Sequence, residues 1–341
     1  MKTVGTYRSR TGLAEVAGVV VILMVFGGGA RGGEKEQARG CAAAERYRIV
    51  AIPLRPYHVS DLGAVAGMTE EHRAALWTEK DGLTKIELPA GFHHAEAVDV
   101  NSRGVLLGMA SSADGGRRQS FMWEPGKLTL IAGEGAKAAA INQDGDLAGE
   151  ARLAGSASTG PVLWKQGKVV GLGACCGGRA IALNDHGAVA GEAYDKQGRY
   201  QAFVWGEKAG LRLIGPADTY STAPAINEHG HVVVYAFTEG SSLYRDGALT
   251  RMELSQRWPS QPRAINNCDV VVGSFGSNSD ESEAFLWDEK GGFRNLNDFV
   301  LKNSGWKLEV ASSINERGEI VGWGDHSGED DAGFLLIPET R

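Results

Sequence analysis

The stretch AINQDGDLAG (residues 140–149) returns as ALNDHGAVAG (182–191), AINNCDVVVG (264–273) and SINERGEIVG (313–322). An Asn in third place, a Gly or Asp three residues on and a Gly four further is a costly pattern to repeat by accident. Aligned on that third position, Ser60, Asn101, Asn142, Asn184, Asn227, Asn266 and Asn315 lie 41, 41, 42, 43, 39 and 49 residues apart. A second marker keeps the same register: Leu76-Trp77, Met122-Trp123, Leu163-Trp164, Val204-Trp205, Leu243-Tyr244, Leu286-Trp287 and Leu335-Leu336. Two independent markers in phase define an internal repeat of seven units.

The chemistry of the motif is that of a turn. An Asn side chain bonds backbone two residues on, and a Gly three places later takes the left-handed conformation that closes a hairpin. The turn positions are Asn101 and Gly104, Asn142 and Gly145, Asn184 and Gly187, Asn227 and Gly230, Asn266 (with Asp269), and Asn315 and Gly318. Strand-forming residues precede and follow each turn, so the motif joins two strands. The second Gly, at 67, 108, 149, 191, 273 and 322, falls inside the outgoing strand, where it admits a bulge or a close backbone approach. A motif present seven times is not an active site.

Unit four continues as QAFVW and LRLIG, giving four short strands in about 40 residues. Runs such as EAFLW are apolar at consecutive positions, which suits strands buried on both faces. Period, strand count and pattern predict an all-β, seven-bladed β-propeller over 47–338, with 339–341 as a tail. Unit seven ends at GFLLIP (333–338), one strand short, and YRIVAIP (47–53) is a spare strand at the other end. Pairing the two closes the ring and removes an exposed edge.

The first 30 residues stand apart. Lys2, Arg8 and Arg10 precede the apolar run VAGVVVILMVF (16–26) and the small residues GGGA (27–30), the layout of a cleavable signal peptide over 1–30. The run is too short for a spanning helix, so no membrane span is expected after cleavage; 31–46 then read as a linker. The chain carries a net charge of −7, and residues 45–341 are more acidic than the whole because the leader is basic. An acidic body without a basic stripe excludes nucleic acid and anionic membranes as partners. Cys41, Cys175, Cys176 and Cys268 are too few for a disulfide scaffold. The propeller places Cys268 on the face opposite Cys175 and Cys176, so a bond between them is not expected.

The repeat with AINxxGxxxG followed by AFLW resembles the HAF-repeat proteins, a group of predicted extracellular repeats. The end LNDFVLKNSGWKLEVASSINERGEIVGWG (296–324) and the closing GFLLIP are similar to the last repeats of that family. The resemblance covers about 47–338 and implies secretion and a propeller-like body. It supplies no reaction and no catalytic residues. Unit five departs from the pattern with Val234 and Tyr244, and unit six with Asp269.

Candidate ligand contacts are the residues that break the repeat. The repeated Trp77, Trp123, Trp164, Trp205 and Trp287 read as packing between blades. The connections into the innermost strands vary, and variable loops on a rigid scaffold are where binding sits. They carry His93, His94, Lys137, Arg179, Tyr220, Arg257, Trp258, Arg263, Trp306 and Lys307. The tryptophans suit stacking on a sugar or a protein side chain, or packing under their own loops; the cations hint at an anionic ligand. His93 and His94 with Glu96 could form a metal site or an acid–base pair, but neighbouring residues point apart and solvated loop histidines are the simpler reading. Asp144-Gly145-Asp146 and DHSGEDD (325–331) are fragments of calcium loops without the full ligand spacing. No metal or cofactor is expected. The sequence thus points to an exported, monomeric, non-catalytic propeller binding a glycan or a protein. The alternatives are a hydrolase or lyase of extracellular polysaccharide, using His93, His94 and Asp218, and a purely structural surface repeat.

Overall fold

The computed structural model describes residues 44–131, 135–156, 158–174, 177–216, 218–253, 260–276 and 281–339. The proposed leader, most of the linker, Cys41, Cys175, Cys176, Arg257 and Trp258 lie outside those residues. Strand β1 (Tyr47–Ile52) comes first, and seven blades follow. Blade 1 is β2 (Arg55–Val59), β3 (Val65–Met68), β4 (Ala74–Thr78) and β5 (Gly82–Lys85). Blade 2 is β6 (His94–Val100), β7 (Leu106–Ser111), β8 (Arg118–Glu124) and β9 (Lys127–Leu130). Blade 3 is β10 (Lys137–Ile141), β11 (Leu147–Arg152), β12 (Thr159–Lys165) and β13 (Lys168–Gly171). Blade 4 is β14 (Gly178–Leu183), β15 (Val189–Tyr194), β16 (Tyr200–Gly206) and β17 (Gly210–Leu213). Blade 5 is β18 (Ser221–Ile226), β19 (Val232–Ala236), β20 (Gly240–Arg245) and β21 (Ala248–Arg251). Blade 6 is β22 (Ser260–Ile265), β23 (Val271–Phe275), β24 (Glu283–Asp288) and β25 (Gly292–Asn295). Blade 7 holds β26 (Trp306–Ile314), β27 (Ile320–His326) and β28 (Glu329–Pro338), preceded by a 3-10 turn at Leu296–Phe299.

The seventh blade is completed as expected. β1 runs antiparallel to β28, with Tyr47 opposite Pro338 and Ile52 opposite Gly333. Inner strands touch their neighbours all the way round, β26 closing onto β2. No sheet shares a strand with another, so the ring is held between blades by side-chain packing and by the turns. Its core is a series of interblade clusters. Phe121, Phe203, Phe285 and Phe334 are fully buried in them. Trp77, Trp205 and Trp287 are buried and Trp123 and Trp164 half-buried, the packing role their position in the repeat predicts.

Each inner strand carries a β-bulge three residues before the turn position, as at Ile181 between Ala180 and Ala182. The bulge brings the carbonyl of the residue two places earlier against the second Gly. A Cβ at Gly67, Gly149, Gly191, Gly273 or Gly322 would collide with the carbonyl oxygen of Arg55, Lys137, Arg179, Gln261 or Val310. That Gly is therefore required by the bulge. Blade 5 shows the exception and its accommodation. Val234 occupies the Gly position, the pairing opposite it is lost between Thr222 and Ala225, and the bulged residue is Pro224, which has no N–H to satisfy.

The turns do more than reverse the chain. The glycines at the fourth position have φ between 75° and 83°, and Asp269 adopts the same left-handed conformation at 56°. The Asn101 Oδ1 accepts from the amides of Arg103 and Val105 within its turn, at 3.1 and 3.0 Å. Its Nδ2 donates to the carbonyl of Asn142 in the next blade, at 3.0 Å. The same donation repeats from Asn142, Asn184, Asn227, Asn266 and Asn315, the last to Ser60, at 2.9 to 3.4 Å. A second circuit runs beside it through the following residue. The amides of Ser102, Gln143, Asp185, Glu228, Asn267 and Glu316 donate to the side chains of Gln143, Asp185, Glu228, Asn267, Glu316 and Asp61. Both circuits open at one seam, between blades 1 and 2, where Ser60 and Ser102 are too short to continue them. There the His58 Nδ1 lies 3.0 Å from the Asp99 Oδ1, an ion pair when the imidazole is protonated.

Candidate functional site

The channel through the ring has two unlike ends. At the turn end it narrows to about 140 Å³ among the Asn and acidic side chains just described. Burial raises the Glu316 carboxyl to about 7, helped by Asp61 and Glu228 and opposed by the Asn267 amide. Burial likewise raises Glu228. At the other end the channel widens into a funnel of about 680 Å³, a volume that suits a small organic ligand.

The sequence builds this funnel from fixed backbone positions filled by different residues. In six of the seven inner strands the bulge turns a side chain into the channel: Tyr57, Val98, Ile181, Pro224, Arg263 and Ser312 all line it. Two residues nearer the mouth, Glu96, Arg179, Thr222 and Gln261 follow. Second strands add Tyr235 and Trp323. Across the blades the backbone repeats while polarity, size and charge change, so the funnel is asymmetric by composition.

Its charges are mostly accounted for. Lys137 pairs with Glu150 at 2.6 Å, Arg179 with Glu192 at 3.0 Å and Arg55 with Asp331 at 3.2 Å. Trp323 is nearly buried and lies under the Arg55 guanidinium, 4.2 Å from the ring centre, with Arg263 5.8 Å away. Tyr57 meets Trp323 edge-on at 6.1 Å. Enclosure by the channel wall, and then Arg55, push the Arg263 guanidinium below its ordinary range. Burial and the Glu96 charge raise the Tyr57 hydroxyl.

The candidate residues of the sequence divide accordingly. Arg179 and Arg263 face the funnel together. Lys137 stands on β10 beside its Glu150 partner. His94 is at the rim of blade 2, its ring 5.8 Å from that of His72 in a side cavity with Met68 and Met109. His93 is exposed, and its amide donates to the Ser111 carbonyl. Tyr220 is exposed on blade 5 beside Phe237. Trp306 is stacked on His326 at 4.3 Å and packs edge-on against Phe334. Lys307 pairs with Glu309 at 2.9 Å. Asp218 pairs with Arg199 at 3.5 Å, in blade 4 and the connection after it, so the structure does not gather it with His93 and His94 of blade 2. Among the calcium-loop fragments, Asp325 accepts from the Gly328 amide and Asp331 from Arg55. Among the described residues no three His, Cys, Asp or Glu side chains converge to hold a metal. Cys268 is disulfide-bonded to a partner outside the described residues. Tyr57, Tyr235 and Trp323 were not singled out by sequence because they sit inside strands; the signal available was variation at one repeat position.

No protein-family model matches the chain, and no curated protein matches it. Solved structures do. A virginiamycin B lyase from Staphylococcus aureus is 10% identical, with a TM-score of 0.56 over 86% of this chain and 99% of that one. YCF48 bound to D1 peptide is also 10% identical, with a TM-score of 0.52 over 86% and 96%. A puromycin-hydrolyzing peptidase of Mycobacterium tuberculosis is 15% identical, with a TM-score of 0.51 over 87% of this chain; the chain spans 52% of the peptidase. These likenesses show the propeller fold. Among the described residues no helix is long and apolar enough to cross a membrane.

Proposed function

We propose that the protein is an exported, monomeric HAF-repeat propeller that binds its ligand in the central funnel, without catalysis. The observation that carries this reading is the contrast between a constant backbone and variable side chains at the funnel positions. A purely structural repeat has no use for that variation. The oxidised Cys268 supports an oxidising compartment, in line with the signal-like leader. The funnel wall is dominated by apolar and aromatic groups, which favours a ligand or protein segment with an apolar body over a neutral glycan.

The test is a thermal-shift screen with and without a plug. A ligand at a hundredfold excess over its Kd adds about 2.7 kcal/mol of stability. Val98→Trp, which fills the funnel, is expected to abolish any such shift, while Tyr220→Ala on the rim leaves it. A shift that survives the plug would move the site off the funnel.

A further inference from the structure

Glu96 and Arg263 differ from every other charge lining the funnel. Arg179 there is neutralised by Glu192, and its neighbours Arg55 and Lys137 by Asp331 and Glu150. Among the described residues, neither Glu96 nor Arg263 makes a side-chain hydrogen bond or an ion pair. They do not pair with each other either, because they stand on β6 and β22, in blades 2 and 6. Between them lie blades 1 and 7, which contribute the edge-on pair Tyr57 and Trp323. The order around the wall is therefore acid, two aromatic rings, guanidinium. Arg263 is held against like charge rather than opposite charge, with Arg55 on the same Trp323 ring. A partly enclosed cation in that position gains from a ligand anion, and an unpaired carboxylate across an apolar shelf gains from a ligand cation.

Resting on the funnel as the binding site, we propose that the ligand is a small zwitterion with an apolar or aromatic body and its two charges set apart, the chemistry of a short peptide. Its carboxylate meets the planar fork of Arg263, its ammonium meets Glu96, and its body lies along Tyr57 and Trp323. A ligand without charged groups would leave both wall charges without a partner, and a singly charged one would leave one.

The experiment is calorimetric titration of the whole chain with L-phenylalanine and L-leucyl-L-phenylalanine, each also as its N-acetyl and C-terminal amide derivative. The two lengths test the separation of the charges: the dipeptide, whose termini are set apart, is expected to bind more tightly than the amino acid, whose two charges share one carbon. At least one uncapped form is expected to bind. Each cap is expected to weaken it about tenfold or more, 1.4 kcal/mol per decade. The variants should cross: Arg263→Gln removes the penalty of the amide and leaves that of the acetyl group, Glu96→Gln does the reverse, and Arg263→Lys retains part of the carboxylate preference. Unchanged melting curves show that the variants fold. Caps without effect, variants that weaken all derivatives alike, or no binding of either uncapped form would overturn the proposal. A neutral ligand lost on plugging with Val98→Trp would then leave the funnel reading standing alone. A zwitterion whose binding survives the plug would sink the funnel reading itself.

Discussion

The two ends of the channel are made from the same seven strands and obey opposite rules. At the turn end nearly the same residue stands in every blade, and its side chain is consumed by its neighbours: Asn101 accepts within its own turn and donates to the next. At the funnel end the backbone positions are equally fixed, yet Tyr57, Val98, Ile181, Pro224, Arg263 and Ser312 have nothing in common except direction. Repetition there would give a symmetric hole; substitution gives a shaped one. In a ring of repeats, then, uniformity marks what holds blades together and variation marks what faces a ligand.

That division is broken most forcefully at the Gly behind the bulge, because it belongs to the uniform set while shaping the variable one. Gly191→Val would drive a side chain into the Arg179 carbonyl and the Phe203 ring. Overpacking of this kind costs about 1–3 kcal/mol, and the upper end is expected because backbone is struck. Urea denaturation would show it. A loss under 0.5 kcal/mol would mean that blade 4 can open its pairing as blade 5 does around Val234.

The Asn circuit comes next in size. Asn101 is buried and makes three side-chain hydrogen bonds, so Asn101→Ala is expected to cost about 2–3 kcal/mol, at 1–3 kcal/mol for a buried group left unpaired. Asn101→Asp keeps the acceptor and removes the interblade donor, which separates the turn from the ring. The converse experiment closes the seam: Ser60→Asn supplies a donor towards the Asn101 carbonyl and should stabilise by about 0.5–1.5 kcal/mol. A destabilising Ser60→Asn would show that the gap between blades 1 and 2 is needed by the fold.

The acidic side of that end titrates. Glu316 has a folded pKa of about 7, above its ordinary 4.5, so the folded state holds a proton that the unfolded state releases as pH rises between those values. Stability should therefore fall across that window, by about 1 kcal/mol once solvent screening of this half-buried group is allowed for. His58 adds in the same direction: burial lowers it, but Asp99 and Asp61 lift it net. Its protonated form stabilises below the ordinary histidine range, and that contribution disappears as pH climbs through the raised value. Glu316→Gln should flatten the loss between pH 4.5 and 7 and leave the histidine part. Melting temperatures at pH 5, 7 and 8.5 measure both.

The sequence made the uniform end and the ring legible because both depend on local chemistry repeated in phase. Asn, left-handed Gly and the spare strand at 47–53 need no partner to be recognised. The interblade donation of Asn was illegible, since it depends on how far apart blades stand. The funnel was half legible. Arg179 and Arg263 were found through the variable connections that lead to them, whereas Tyr57 and Trp323 were hidden in strands whose apolar residues look like any core. Which of those faces the channel is decided by the bulge, and a bulge shifts facing by one residue.

The smallest effect on stability should therefore come from the funnel itself. Gln261 is exposed into it, occupies the same backbone position as Arg179 in another blade, and has no side-chain hydrogen bond among the described residues. Gln261→Ala removes nothing that the fold uses, and the expected change lies within about 0.5 kcal/mol. If the funnel binds as argued, the same substitution alters affinity for whatever ligand the thermal-shift screen finds, because it reshapes the wall next to Arg263. Stability loss comparable to Asn101→Ala would erase the distinction between the two ends. An unchanged melting temperature with changed affinity would place binding where the repeat is least uniform.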